Sequence, residues 1–292
     1  MLAVKKILVP VDFSERAIPA GRHAVELAGH FESELVFAHV IPSPPPEYVS
    51  FEGGYFAARS GPAPAETIAH LTQQLDCVAM KAGAEPAARK TIREGDPGRE
   101  IAKLAAQLHS DLIVMPTHGY GPFRRFILGS VTAKVLHDSD CPVFTGAHVA
   151  DSPARPVASY HRVACAVDLS DHSEKVLRWA ADFAKSYAAR LVLIHAAPSL
   201  EVSGFEVSGF DWRGTLIDMA RKQAEELLQR LNCQAEVRID TGDVTRIVTS
   251  AAKAANADLL VIGRSAKHGL LGRLRTNAYA LIRESPCPVV SV

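Results

Sequence analysis

The segment Met115-Pro116-Thr117-His118-Gly119-Tyr120-Gly121-Pro122-Phe123-Arg124-Arg125-Phe126-Ile127-Leu128-Gly129-Ser130-Val131-Thr132 gathers the residue types best suited to chemistry. Glycines let a main chain approach a phosphate closely, and Gly129-Ser130 opens a helical pattern whose first N–H groups and positive dipole end suit an anion. Ser130 and Thr132 add hydroxyl donors. Arg124 and Arg125 offer either a phosphate clamp or a solvated, subunit-facing pair. His118 lies in the same loop, in reach of a phosphate or simply exposed. Taken alone, such a loop is equally a turn followed by an N-cap. Asp12 is placed either to contact a ribose or a metal or to cap the turn into the next helix, and Asp168 reads as a cap. The sequence has no G-x-x-x-x-G-K-[ST] loop, no G-x-S-x-G elbow and no H-E-x-x-H pair, so it offers no catalytic constellation.

The elements that position these residues come in two copies. Ile7-Leu8-Val9-Pro10-Val11-Asp12-Phe13-Ser14 recurs as Val163-Ala164-Cys165-Ala166-Val167-Asp168-Leu169-Ser170, and each Asp is followed 27 positions later by a histidine, His39 or His195. A histidine closing such an apolar run packs with one ring nitrogen bonded to backbone. Gly95-Asp96 matches Gly242-Asp243, Asp111-Leu112-Ile113-Val114 matches Asp258-Leu259-Leu260-Val261, and Cys141-Pro142-Val143 matches Cys287-Pro288-Val289. The chain is a tandem duplication.

Within the first copy, Ile7–Val11, Leu35–Val40, Ala88–Ile92, Leu112–Met115 and Val143–Thr145 read as strands. Ile101, Leu104, Ala105 and Leu108 follow a helical period, as do Val244, Ile247, Val248 and Ala251 in the second copy. Strands alternating with helices predict α/β architecture: two tandem, doubly wound, five-stranded parallel sheets of Rossmann-like type. In such sheets ligands bind beyond the strand carboxyl ends where strand order reverses; for the common order, which starts its reversal beside strand one, that is between the loop after strand one and the loop after strand four. The expected domains are residues 1–147 and 158–292, joined by a Pro- and Gly-containing linker at 148–157. Pro42 to Pro64 is long for a structureless loop and reads as a lid or flap.

On these motifs the chain resembles the universal stress protein family in its tandem two-domain form. The family's nucleotide signature is a glycine, two residues, a glycine, nine residues, then glycine and Ser or Thr. The first copy fits from Gly119 to Gly129-Ser130, with Pro116 where the first glycine is expected. The resemblance implies ATP, with or without magnesium, its adenine and ribose near Asp12, Val40 and Met115 and its phosphates on Gly119, Gly129, Ser130, Val131 and Thr132. The expected contact set also takes in the flanking Pro10, Val11, Thr117 and His118. Proline lacks an N–H, which removes any contact made there by the missing glycine.

The second copy keeps Gly263 but has Ala266 at the second glycine and Thr276-Asn277 at the last pair; Gly269 and Gly272 fit no register of the signature. A degenerate second site is expected. The resemblance further implies a nucleotide-dependent regulatory protein of the stress response, with binding ordering the glycine loop and flap for a protein partner to read. It also implies pairing of family domains through the last strand, within one chain or as a homodimer. The alternatives are a slow magnesium-dependent ATPase using Asp12, and a structural stress protein with both pockets empty.

Composition limits the remaining classes. Lys and Arg total 32 against 32 Asp and Glu, so the footprint of a nucleic-acid or anionic-membrane binder is missing. Hydrophobic residues make up 48% and charged residues 22%, the range of a folded globular chain. No run of 18 apolar residues and no signal-like start appear, and the five cysteines form no C-x-x-C pair. A cytoplasmic protein with reduced thiols is expected.

Overall fold

A computed structural model of the 292-residue chain describes residues 2–42, 47–51, 54–58, 63–85, 88–117, 128–146, 160–198, 211–264 and 273–292. Packing divides it into two compact units, Val4–Cys141 and Met1–Ala3 with Pro142–Val292.

In the first unit the chain runs through β1 (Lys6–Pro10), α1 (Ala17–Phe31), β2 (Glu34–Pro42), β3 (Glu47–Phe51), β4 (Gly54–Ala58), α2 (Ala65–Lys81), β5 (Arg89–Gly95), α3 (Pro97–Leu108), β6 (Leu112–Met115) and α4 (Ser130–Asp138). Its parallel strands lie in the order β6-β1-β2-β5. The apolar run of β1 is buried throughout, with Ile7 and Leu8 fully enclosed beside Leu112, Ile113 and Phe37, which is why these strands read as continuous hydrophobic runs without alternation. On α3, Ile101, Leu104 and Ala105 form the buried stripe that their spacing predicts. Burying one such leucine contributes about 2 kcal/mol.

The repeated Gly-Asp pair is a strand-to-helix corner. Gly95 has φ 143° and Gly242 φ 132°, a region that favours glycine, and the next residue caps the following helix. Asp96 accepts from Arg99 N at 3.0 Å and Asp243 from Arg246 N at 2.8 Å. β5 extends three residues past the predicted Ile92, because its pairing with β2 continues to Gly95 opposite Pro42. The stretch expected to be a lid or flap contains a hairpin, β3 paired antiparallel with β4.

The second unit comprises β7 (Val143–Thr145), β8 (Arg162–Ala166), α5 (Ser173–Ser186), β9 (Arg190–Ala197), α6 (Trp212–Arg230), β10 (Glu236–Thr241), α7 (Val244–Ala254), β11 (Leu259–Ile262), α8 (Arg273–Glu284) and β12 (Val289–Ser291). Strand order is β10-β9-β8-β11-β12-β7, parallel except for β7 on β12. Trp179 stacks on Phe183 at 5.2 Å, and Tyr160 and Tyr187 close on the same ring at 5.0 Å each, fixing α5 over its sheet. β7, which closes the first copy in sequence, sets Phe144 opposite Val290, and Thr145 Oγ1 donates to Val289 O at 3.1 Å. The packing division therefore falls ahead of β7, whereas the expected linker at 148–157 lies outside the described residues.

None of the five cysteines is in a disulfide. Cys141 Sγ donates to Ser110 O at 3.0 Å, and Cys287 is buried. No helix among the described residues is long and apolar enough to cross a membrane.

Candidate functional site

In the first unit the order reverses beside β1: β2 and β5 lie on one side and β6 on the other. The loops leaving β1 and β6 therefore flank the crevice, as the sequence predicts. They carry Asp12 and the chain from Pro116 onward.

Around the end of β1 the polar groups are satisfied locally. Val11 N donates to Ala38 O at 2.7 Å, and His39 Nδ1 lies 2.7 Å from Val11 O, the backbone bond expected of that histidine. Asp12 is exposed, and its Oδ1 accepts from Ser14 N at 3.0 Å and from Ser14 Oγ at 2.6 Å. This turn drives Phe13 to φ 61°, unusual for a side chain of its size, and sets its ring 4.3 Å from that of His39. The turn supports the capping alternative for Asp12 while leaving its carboxylate open to solvent. Pro10, Val11, Val40 and Met115 are buried at the strand ends.

The second wall begins where β6 ends. Gly129 N donates to Thr117 O at 2.9 Å, and Thr132 Oγ1 to Pro116 O at 3.1 Å, so the two ends of the glycine loop are tied at a neck. Thr117 and Thr132 are buried there, whereas Ser130 is exposed. The Thr132 hydroxyl thus holds the loop instead of offering its proton outward. Proline suits position 116, because the neck uses its carbonyl and needs no N–H. Gly129 has φ −59° and ψ 142°, which any residue can adopt. What glycine supplies there is the missing side chain. His118 and Gly119 lie outside the described residues, as do Arg124 and Arg125.

Electrostatics distinguishes the two helices that start at the crevice from the others of this unit. α1 and α4 have no side-chain cap and no acidic residue in the first turn. By contrast α3 is capped by Asp96 and carries Glu100, and α2 carries Glu66. In α4 the first intrahelical bond is Ala133 N to Gly129 O at 2.8 Å, which leaves Ser130, Val131 and Thr132 as the first-turn residues at the positive end of the dipole. α1 contributes its dipole and the Arg16 charge more than N–H groups, since Ala17 N donates to Ser14 O at 3.0 Å and Pro19 has none.

The second unit keeps the same frame with different fittings. Its reversal lies between β9 and β11 beside β8. Asp168 Oδ1 accepts from Ser170 N at 3.1 Å, Ser170 Oγ at 2.6 Å and Ser173 Oγ at 2.9 Å, and Leu169 takes φ 58°. Burial acts upward on this carboxyl, but the three hydrogen bonds outweigh it and hold the pKa below its ordinary value. Asp168 is a cap, as its sequence context suggests. His195 Nδ1 lies 2.9 Å from Val167 O. In α5, His172 stands where the first unit has Arg16, and Glu174, in the first turn, where it has Ile18. Tyr279 occupies the register position of Thr132. A Cβ at Gly263 would lie 3.0 Å from Val176 Cγ2, so that glycine serves the close approach of β11 to α5.

The family model for the universal stress proteins matches residues 3–145 and again 159–292. A universal stress protein of Methanocaldococcus jannaschii is 30% identical over 145 residues, spanning 48% of this chain and 79% of its own length. One from Synechocystis is 33% identical over 144 residues, 49% of this chain and 85% of its own. Among solved structures, a universal stress protein from Archaeoglobus fulgidus superposes with a TM-score of 0.67 at 21% identity, covering 99% of this chain and 96% of its own. The chain belongs to the universal stress protein family and carries two copies of the family domain.

Proposed function

We propose that the first unit binds an adenine nucleotide, ATP by the signature at Gly119 and Gly129-Ser130, and that the protein acts as a nucleotide-dependent regulator of the stress response without turnover. The observation that carries this reading is the pairing at one crevice of two helix N-termini, α1 and α4, that lack both a capping side chain and a first-turn acid. Polyphosphate is the ligand chemistry that such a charge pattern favours. Ser130, Val131 and the side-chain-free Gly129 form its cradle, with Thr132 positioning the loop. Val40 and Met115 supply an apolar wall for a base, and Asp12 a carboxylate for a ribose. Magnesium, when present, would arrive with the phosphates.

The second unit, with Glu174 in the first turn of α5 and no second signature glycine, binds nucleotide weakly or not at all. The β7–β12 register supports pairing of the last strands of the two copies within one chain. The cytoplasm is the proposed location.

Mass spectrometry of small molecules released on denaturing the purified chain tests the ligand: ATP at about one equivalent or less supports the proposal. No released nucleotide, together with no calorimetric heat on adding ATP, would favour a structural role. Phosphate release from ATP and magnesium that falls in Asp12→Ala would favour the ATPase alternative.

A further inference from the structure

The outer edge of the second unit holds a groove of about 430 Å³ that lies away from the β8–β11 crevice. Its lining includes Arg221 of α6, Arg238 and Asp240 of β10, and Arg246, Ser250 and Ala254 of α7. β10 ends the strand order of this unit, and the groove takes in four consecutive β10 residues, Val237 to Asp240, and none of β9. It therefore lies at the outer edge of β10, which no strand among the described residues pairs on that side.

Its charge is one-sided. Asp240 is engaged already: Arg213 Nη2 donates to its Oδ1 at 2.8 Å and so does Thr241 N at 2.8 Å, and the Arg213 bond foremost holds its carboxyl below the ordinary value. Arg238 is held in place by Glu236, with Nε 2.7 Å from Oε1, and by Ala251 O, 3.3 Å from Nη1. With Arg213 and Glu236 included, four guanidiniums stand against two carboxylates at this edge.

The equivalent place of the first unit carries longer, paired side chains. In the register of Gly95 with Gly242, Gln107 corresponds to Ala254, Lys103 to Ser250 and Lys90 to Val237. There Arg93 Nη2 donates to Gln107 Oε1 at 3.0 Å, Lys103 pairs with Glu100 at 2.6 Å, and Lys90 pairs with Asp76 at 3.1 Å. The second unit has shorter side chains at all three positions, and there Arg221, Arg238 and Arg246 line the groove.

We propose that this groove receives an extended acidic segment of a partner protein, which adds a strand to β10 while its carboxylates meet Arg221, Arg238 and Arg246. Strand addition supplies main-chain hydrogen bonds, and the guanidinium fork supplies selectivity for carboxylate.

Fluorescence anisotropy of the full chain with a coumarin-labelled, acetylated hexapeptide of alternating valine and glutamate tests it, against the valine and lysine counterpart. The acidic peptide is expected to bind, more weakly at high salt, and the basic one not. Charge reversal by Arg238→Glu with Arg246→Glu should lower its affinity by more than about tenfold. A neutral filler, Ser250→Gln with Ala254→Gln on the exposed face of α7, should lower it by about tenfold with unchanged circular dichroism. Methylating alternate peptide nitrogens of the probe should remove binding if β10 pairs with it. No binding of the acidic peptide at 1 mM, equal binding of both peptides, or an affinity indifferent to the filler would overturn the proposal.

Discussion

Two crevices of the same origin sit at the ends of β1 and β8, and they differ in the charge at their helix starts. In both an Asp follows the strand by two residues, both turn through a left-handed residue, Phe13 or Leu169, and both bond a histidine back to the residue after the strand. Yet α1 starts with Arg16 and no acid, whereas α5 starts with His172 and Glu174. After the fourth parallel strand, the first copy has Gly129-Ser130 and a neck made by Thr132, where the second has Thr276-Asn277 and Tyr279. The comparison teaches that the fold keeps this turn geometry whether or not the glycine signature accompanies it. Asp12 and Asp168 are therefore weaker markers of a site than the groups at the helix starts.

The largest effect that breaks the comparison is expected from Gly129→Val. The backbone at 129 accepts valine, so the fold should survive, while the new side chain fills the cradle. Overpacking of that size corresponds to about 100-fold weaker nucleotide binding by calorimetry.

A second contrast is pH. His23 of α1 is fully buried, and burial lowers its pKa to about 4, whereas Trp179 stands at the register position in α5. A folded-state pKa below the unfolded value near 6.5 means that the unfolded chain binds the proton first, so stability falls as pH drops from 6.5 toward 4. The loss at pH 5 should be about 2 kcal/mol, confined to the first unit, and it should vanish in a folded His23→Gln variant. Hydrogen exchange read region by region checks it: equal loss of protection in both units would contradict the assignment.

Thr132→Val should loosen the neck by removing the bond to Pro116 O, about 1 kcal/mol or fivefold in nucleotide affinity, while Thr132→Ser keeps it. A Thr132→Val variant with unchanged affinity would show that the neck has no part in binding.

The smallest effect sharpens the electrostatic half of the comparison. Ile18→Glu places in α1 the acid that α5 carries, and should weaken nucleotide binding about two- to fivefold at low salt. Stronger binding after this change would remove the charge argument.

Much of this was legible in the residues, because the duplication repeats its physics. Gly-Asp twice over marks a corner that needs both a positive φ and a helix cap, and Cys-Pro-Val marks the entry to each last strand. The alternation of strands and helices predicts the doubly wound class, and the strand order found is the common one with its reversal beside β1.

Other features had weaker signals. The β3–β4 pair has a sequence signal in the strand formers Tyr48-Val49-Ser50-Phe51 and Tyr55-Phe56, but the surrounding prolines obscure it. The left-handed Phe13 and Leu169 carry no composition signal, since the serine bonds to the preceding Asp impose that backbone. The neck could not be found in sequence, because Thr132 reaches Pro116 only after folding. The β10 groove is lined by the short Ser250 and Ala254, which stand out only beside Lys103 and Gln107 of the first unit.

The most direct test of the central claim is calorimetric titration of the full chain with ATP. The account predicts one site per chain, lost in Gly129→Val and kept in Thr276→Val. Two equivalent sites, or one site that survives Gly129→Val and disappears in Thr276→Val, would contradict it.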